Sequence, residues 1–435
     1  MSEAFYITAE NLAAMNGDIP EELTSSEHLI YSSPAALAFN SPGAKGFGVK
    51  RAGLAVPNSV MLLVAPGCCG RNTALLSELG YSERFFYLLL DDTDIVTGRH
   101  LSKIPQAVKE IVDELDYTPS VVMICITCVD ALLGTDMERV CRKCSDTANV
   151  PCAPCYMYAL TREKRLPPMA AVRWSVYSLL EPQKRAADEC NILGFFSPID
   201  DKSELYPLLR SAGIKQVREL SRCKTFDEYK KLSRANFNLV LNAEARYAAQ
   251  KMEKEYGIPS IELVRMYQPD KIHNQYMLFA QAIGVVLDDS EYLAQAEKAV
   301  ADFREKYGEL TFAVGECLNA DSFELSLALT RFGFKVSEIY GTVTQRNFVF
   351  VKKLAQLSPQ TRIYSNLSPT MLYYENTEKT DAAIGSDAVY YHPDIAGIHF
   401  NEETQPFGYQ GIVSLFEQLD SALTRSSQGK ERLSE

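Results

Sequence analysis

Cysteines are the residues of this chain best suited to chemistry, and three of them follow predicted strands. Cys68 and Cys69 stand in a tight loop flanked by glycines, directly after the apolar run 59–65, and Cys128 ends the apolar run 120–128. Sites in open α/β sheets form beyond the carboxyl ends of the strands. Two or three thiolates at one sheet edge suit an iron–sulfur cluster. We therefore predict a metal site at this edge, with two or three of Cys68, Cys69 and Cys128 as ligands.

Four further cysteines form two Cys-x-x-Cys pairs, and they are Cys141, Cys144, Cys152 and Cys155. Paired motifs of this kind resemble zinc or cluster sites. However, the first pair falls on a predicted helix, where a spacing of three is also what a buried face gives. A second metal site and core packing are therefore both open for this set. Cys125, further back in its strand than Cys128, is predicted to lie in the core.

Two polar features are candidates for facing a ligand. The run 161–165 contains Arg162 and Arg165, and it is either a solvated surface or the lining of a pocket for an anion. His399 follows a predicted strand in the segment 397–411, which is rich in glycine and proline. A lone histidine is often structural, but this position at a strand end makes His399 a candidate for a ligand-facing residue.

Short apolar runs alternate with longer helical patterns through most of the chain, which is typical of parallel α/β layers. The length of 435 residues suggests about three domains. We predict an α/β protein of three Rossmann-like domains, with parallel sheets around a central cleft. Their expected bounds are 1–185, which carries the cluster, 186–305 and 306–435. No Gly-x-Gly-x-x-Gly or P-loop pattern follows the first strand. The sequence therefore gives no support for dinucleotide binding or for P-loop nucleotide binding.

Composition narrows the class of protein and the compartment. Lys and Arg number 44 and Asp and Glu 56, a net charge of −12, which argues against broad contact with nucleic acid or an anionic membrane. The N-terminus lacks a secretory pattern, and the longest apolar runs are too short to cross a bilayer. We expect a cytoplasmic protein, where thiols stay reduced. Eleven cysteines there favour metal or redox chemistry over disulfides.

Taken together, four stretches resemble the nitrogenase component 1 superfamily. This superfamily includes the two chains of the molybdenum-iron protein, scaffold proteins for its cofactor, and tetrapyrrole reductases. The matching stretches resemble its second and third cluster-cysteine motifs, an acidic segment between them, and a pattern specific to the α chain; they are 65–70, 128–136, 92–98 and 238–259. Their order and spacing make the resemblance specific, and Ile384, His399, Pro406 and Gly408 extend it toward the C-terminus.

The resemblance implies an iron–sulfur cluster at a subunit interface, either a four-iron cluster or an eight-iron cluster like the P-cluster. It implies a partner chain, identical or of the β type, and electron supply from a separate ATP-dependent iron protein. The family's first cluster cysteine is missing, because no cysteine precedes Cys68. Either Cys68 or an oxygen of Ser41 would take its place. Asp94 is expected to position its loop rather than to bind metal.

A second departure concerns the cysteine that holds the iron-molybdenum cofactor, because this position falls on Asn242. An amide is a poorer ligand than a thiolate for a soft iron site. The resemblance matches His399 to the cofactor histidine, and it makes Arg162, Arg165 and Asn242 substrate- or cofactor-facing as well. We expect a nitrogenase-like reductase whose substrate is not dinitrogen. The alternatives are a metallocluster assembly scaffold and a component of a tetrapyrrole reductase or cyclase, and an additional metallocluster would fit the pocket.

Overall fold

The chain folds as two compact units. The computed structural model describes residues 3–23, 33, 35, 48–67, 80–157 and 166–434. The cysteine-rich unit comprises Lys45–Pro198 and Gly213–Val264, and the second unit comprises Met1–Ala44, Ile199–Ala212 and Arg265–Glu435. Among the described helices, none combines the length and the apolar character needed to cross a membrane.

Short strands alternate with helices along most of the described chain. The strands are β1 (Ile7–Thr8), β2 (Val60–Ala65), β3 (Phe85–Leu89), β4 (Val122–Ile126), β5 (Cys152–Tyr156), β6 (Ala186–Leu193), β7 (Gln216–Glu219), β8 (Ala235–Val240), β9 (Ser260–Glu262), β10 (Thr311–Val314), β11 (Lys335–Tyr340), β12 (Arg362–Tyr364), β13 (Ala382–Ile384) and β14 (Ala396–Ile398).

Many of the helices connect one strand to a parallel neighbour. Those in the described ranges are α1 (Ala9–Ala14), α2 (Val49–Gly53), α3 (Asp92–Thr97), α4 (His100–Glu114), α5 (Cys128–Leu133), α6 (Met137–Ala148), α7 (Pro168–Tyr177), α8 (Leu205–Ser211), α9 (Phe226–Lys230), α10 (Arg246–Tyr256), α11 (Pro269–Ile283), α12 (Ser290–Tyr307), α13 (Ser322–Arg331), α14 (Phe348–Leu357), α15 (Ser386–Tyr391) and α16 (Tyr409–Ser434).

The cysteine-rich unit contains two parallel four-stranded sheets, with strand orders β3-β2-β4-β5 and β7-β6-β8-β9. The second unit contains a six-stranded sheet of order β1-β12-β11-β10-β13-β14, in which only β1 runs antiparallel to its neighbour. The predicted α/β class with parallel sheets is thus confirmed. The three-domain division with its boundaries near 185 and 305 stays a prediction.

The first sheet is covered on both faces. Every residue of β2 and β4 is buried, as expected for central strands of a parallel sheet. Because side chains alternate along a strand, Leu63 and Cys125 pack in the core on one face, and Leu62 and Ile124 pack in the core on the other. Cys125 is fully buried, in keeping with its predicted core role.

The second sheet brings the carboxyl ends of β6 and β8 into close contact. The amide of Leu241 donates to the carbonyl of Leu193 at 2.8 Å, and Gly194 follows with φ of 143°. A Cβ on Gly194 would lie 2.7 Å from the backbone nitrogen of Asn242. The position therefore requires glycine for two reasons, its backbone conformation and the approach of another chain segment.

Replacing Gly194 tests this close approach. We expect Gly194→Ala to lower the free energy of unfolding by about 3 kcal/mol, because strain and overlap with backbone add. Gly213→Ala is the matched control, since Gly213 also has positive φ but its Cβ would meet no atom within 4 Å. It should cost about 1 kcal/mol from backbone strain alone. Urea unfolding followed by circular dichroism measures both, and equal losses would contradict the close approach.

Candidate metal centre

The predicted ligand Cys128 lies at the carboxyl edge of the first sheet. The strand β4 ends at Ile126, Thr127 is the extended residue that precedes the helix, and Cys128 begins α5. The strand is therefore shorter than predicted, and the thiol belongs to a helical turn that ends at Gly134 in the left-handed conformation. Cys128 is partly exposed, so its sulfur lies at an accessible strand end.

Strand register relates this edge to the other predicted ligands. Val64 of β2 pairs with Ile126 of β4, so the two strands end side by side. In the sequence Cys68 and Cys69 follow within a few residues of Ala65, the last residue of β2. Both cysteines lie outside the described residues. The described strands therefore end side by side at the edge where the metal site is predicted.

A buried polar network lies behind Cys128. His100, which begins α4, places Nδ1 3.1 Å from the backbone oxygen of Asp94 and Nε2 3.2 Å from Oδ1 of Asp130. The hydroxyl of Thr135 donates to the same Asp130 oxygen at 3.1 Å. Burial raises the pKa of Asp130. The network ties the helix that carries Cys128 to the segment that follows β3.

Asp94 anchors the other end of this network. Its carboxylate accepts from Lys103 Nζ at 2.5 Å and from Arg99 Nε at 2.7 Å, and it closes a capping box with Asp91. The hydrogen bond from Lys103, followed by that from Arg99, lowers the pKa of Asp94 to about 2, although burial opposes the shift. With both oxygens engaged by cations, Asp94 is suited to positioning its loop and not to binding metal.

Two polar atoms beside Cys128 are left unsatisfied. Within the described part of the chain, the hydroxyl of Thr127 and Oδ2 of Asp130 have no hydrogen-bond partner, although their residues are 2% and 1% exposed. Such atoms are rare in folded proteins because burying them unpaired costs free energy. A partly exposed thiol flanked by buried unpaired oxygens fits a site that is completed by atoms beyond the described residues, as a cluster and a second chain would provide.

The other four cysteines do not form one site. Cys141 and Cys144 on α6 pack in the core on one face of the first sheet, with Cys152 against them. Cys155 packs on the opposite face with Cys125, because a spacing of three along a strand reverses the side-chain direction. Nowhere in the described ranges do three or more His, Cys, Asp or Glu side chains form a group that could hold a metal ion.

Burial keeps the thiols of this set protonated in the metal-free chain. Burial, aided by neighbouring thiols, raises the pKa of Cys144 to about 12. Burial raises the pKa of Cys152 to about 11 and that of Cys141 and Cys155 further above the ordinary value. The thiolate is the form that binds metal. These four cysteines pack in or against the cores on the two faces of the first sheet, and a metal site formed by them stays a prediction.

Asn242 lies at the carboxyl edge of the second sheet, where its side chain caps a turn. It precedes the 3-10 turn Ala243–Ala245, and its Oδ1 accepts from the amide of Glu244 at 3.0 Å. Asparagine suits this position because its short amide can replace a missing main-chain partner. The side chain is partly exposed, and its oxygen serves the local fold.

A buried arginine supports this turn and was not among the residues predicted from the sequence. Arg173 on α7 is 5% exposed and contacts Glu244 Oε2 at 2.7 Å, while its Nη2 donates to the carbonyl of Gly194 at 2.9 Å. Burial lowers the pKa of Arg173 despite Glu244. The sequence signal that marks it is a single cation in the otherwise uncharged helix Pro168–Tyr177.

His399 is the remaining candidate among the described residues. His399 follows β14 in the second unit, is exposed, and places Nδ1 3.1 Å from the hydroxyl of Ser386. It lines a cavity of about 420 Å³ together with Glu402, Glu417 and Arg425. Arg162 and Arg165 lie outside the described residues.

The charge cluster around Asp94 predicts a specific pH dependence. Because the pKa of Asp94 is held at about 2, below its ordinary value of 3.8, its stabilising effect is complete above about pH 5 and is lost as the pH falls toward 2. Asp94→Asn should therefore be less stable than the native chain by a constant margin at neutral pH, and the margin should close in acid. The midpoints of urea unfolding of both chains, measured from neutral pH down to about pH 2, give this margin.

Asp113→Asn is the control for this experiment. Asp113 pairs with Lys109 on the exposed surface of α4, where an ion pair contributes little to stability. Asp113→Asn should have nearly the same urea midpoint as the native chain at every pH. A margin for Asp94→Asn that did not close in acid would contradict the role of the charged carboxylate.

Several curated relatives of this chain have the name "Nitrogenase iron-molybdenum cofactor biosynthesis protein NifE". The relative from a Nostoc species is 28% identical over 221 residues, which are 49% of this chain and 44% of the relative. That match therefore spans less than half of the relative. The relative from Rhizobium meliloti is 25% identical over an alignment that covers 96% of this chain and 93% of the relative.

A solved structure described as "Nitrogenase Cp1 at pH 6.5" has the same fold, with a TM-score of 0.70 over 93% of this chain and 96% of that chain. At 16% identity this likeness concerns the fold alone. The sequence model of the nitrogenase component 1 type oxidoreductases matches residues 45–424, which is most of the chain. This chain therefore belongs to the family of nitrogenase component 1 type oxidoreductases.

Proposed function

We propose that this chain is a scaffold on which a metallocluster is held and then released to an acceptor. The observation that carries the proposal is the side chain of Asn242. The position that resembles the cofactor-holding cysteine of the family carries an amide, and that amide is engaged as a turn cap to Glu244. Weak ligation suits a carrier that must give up its cargo. Relatives named for cofactor biosynthesis support the same function.

A second, permanent iron–sulfur cluster is proposed at the carboxyl edge of the first sheet. Cys69 and Cys128 are its ligands, and Cys68 is the third. Thiolates of low solvent exposure with hydrogen bonds to sulfur set the potential of such a cluster. A four-iron or eight-iron cluster would be shared with a partner chain, either a second copy or a β-type homologue. The unpaired atoms of Thr127 and Asp130 support completion of the site by groups from outside.

The cargo is proposed to bind at the carboxyl edge of the second sheet, which carries Asn242. Arg162 and Arg165 would add positive charge toward an anionic cluster or substrate. Arg173 would hold the Asn242 turn in place through Glu244 and Gly194. None of these side chains supplies a thiolate, so the cargo would be bound there mainly by charge and shape.

The second candidate function is a reductase that receives electrons from an ATP-dependent iron protein and reduces a substrate other than dinitrogen. The oxidoreductase description of the family favours it. The cations would then suit a substrate rich in carboxylates, such as a tetrapyrrole. Incubation with an iron protein, ATP and candidate substrates separates the functions. A scaffold transfers its cluster without turnover, whereas a reductase converts substrate and keeps its cluster.

Iron content tests the ligand assignment. Cys128→Ala should lose most of its iron and sulfide after anaerobic purification, because a cluster ligand is removed. Cys144→Ala is the matched control, since Cys144 is a fully buried thiol on α6. It should keep its iron and lose only about 1–2 kcal/mol of stability through the cavity. Equal iron in both variants would exclude Cys128 as an essential ligand.

Cargo release tests the role of Asn242. Asn242→Cys introduces a soft thiolate ligand and should slow transfer of the metallocluster to an apo acceptor about tenfold or more. Asn242→Ser is the matched control, because serine can still cap the turn but offers no thiolate. Transfer is followed by the metal content of the separated acceptor. Equal transfer rates for the two variants would show that the cargo does not contact this position.

A further inference from the structure

Thr127 stands at the N-cap position of α5, and within the described residues its hydroxyl does not cap the helix. It precedes α5 with an extended backbone, φ −112° and ψ −168°, where a threonine hydroxyl normally accepts from an amide of the first turn. Within the described residues, its side chain makes no such capping bond. The hydroxyl therefore satisfies no amide of its own helix within the described residues.

The hydroxyl is also buried and unpaired. Thr127 is 2% exposed, and its oxygen finds no hydrogen-bond partner in the part of the chain that the structure describes. Asp130 Oδ2, an acceptor on the next turn, is unpaired as well, so the two groups do not satisfy each other. A buried hydroxyl with neither a cap nor a neighbour to bond costs free energy unless a further group supplies the acceptor.

We propose that the Thr127 hydroxyl donates a hydrogen bond to a sulfur of the iron–sulfur cluster held by Cys128. This inference rests on the proposed cluster at the first sheet. Thr127 adjoins the ligand in the chain and lies at the same strand end, so its donor is placed beside the metal site. Hydrogen bonds to sulfur stabilise the more negative, reduced state of a cluster and so raise its potential. Thr127 is a positioning residue that tunes this potential.

The test compares variants at this position in the anaerobically reconstituted full chain. Thr127→Val keeps the shape and suits the extended backbone, but it removes the donor. It should bind iron like the native chain, while its reduced-to-oxidised ratio at a fixed potential falls about tenfold, which is 59 mV for a one-electron couple. Thr127→Ser retains the donor and should behave as the native chain. Redox titration followed by electron paramagnetic resonance measures both.

Controls separate the ways in which this proposal can fail. Thr127→Ala removes the same hydroxyl, should give the same shift, and serves if the valine variant folds poorly. Thr147→Val is the matched control, because that hydroxyl is exposed and bonded to Lys143; it should leave the potential unchanged.

Each outcome has a distinct meaning. If the native chain binds no iron, the proposed cluster itself fails, and the inference fails with it. If the native chain binds iron but Thr127→Val and Thr127→Ala titrate like it, only the role of Thr127 is overturned. A change of oligomeric state in sedimentation with an unchanged potential would likewise overturn it, and would assign the hydroxyl to a partner chain.

Discussion

The parallel pairing of β2 with β4 is the constraint on which the candidate site depends. Both strands are buried on both faces, so a one-residue shift in register would exchange the side chains that pack in the two cores. The register that results, Val64 opposite Ile126, makes the strands end together. Hydrophobic burial of the two strands therefore sets the end of β2 beside the strand end that precedes Cys128. The hydrogen bonds of His100 then tie the helix that carries Cys128 to the segment that follows β3.

Much of this organisation could be predicted from the sequence. Alternating apolar runs and helical patterns indicate parallel sheets, and a cysteine directly after such a run must lie near a sheet edge. The placement of Cys128 follows from these two facts. Strand periodicity also predicts that the side chains of Cys152 and Cys155 point to opposite faces of the sheet, because residues three apart on a strand do so. The same Cys-x-x-Cys spacing occurs in metal-binding loops, but Cys152 and Cys155 belong to a strand.

Other features depend on contacts between distant segments, which no local pattern encodes. Arg173 is separated from Glu244 by 71 positions in the sequence, and Gly194 adjoins Asn242 only because β6 pairs with β8. The charge pairing between α7 and the turn after β8 thus follows from topology. These contacts make the second sheet edge stiff and polar, in contrast to the thiol-bearing first edge. Strand ends thus carry a partly exposed thiol at one edge and an amide that caps a turn at the other.

An unpaired buried atom indicates a missing partner most clearly when the side chain has no other hydrogen bond and little exposed surface. Glu338 and His392 each carry one unpaired atom, but their other polar atoms bond to each other at 2.9 Å in the core of the second unit. Ser221 has an unpaired hydroxyl on a side chain that is only half-buried. Thr127 differs because its only side-chain polar atom is unpaired and the residue is almost fully buried. Since valine would fill the same space without that cost, the hydroxyl is best explained by an acceptor from outside the described chain.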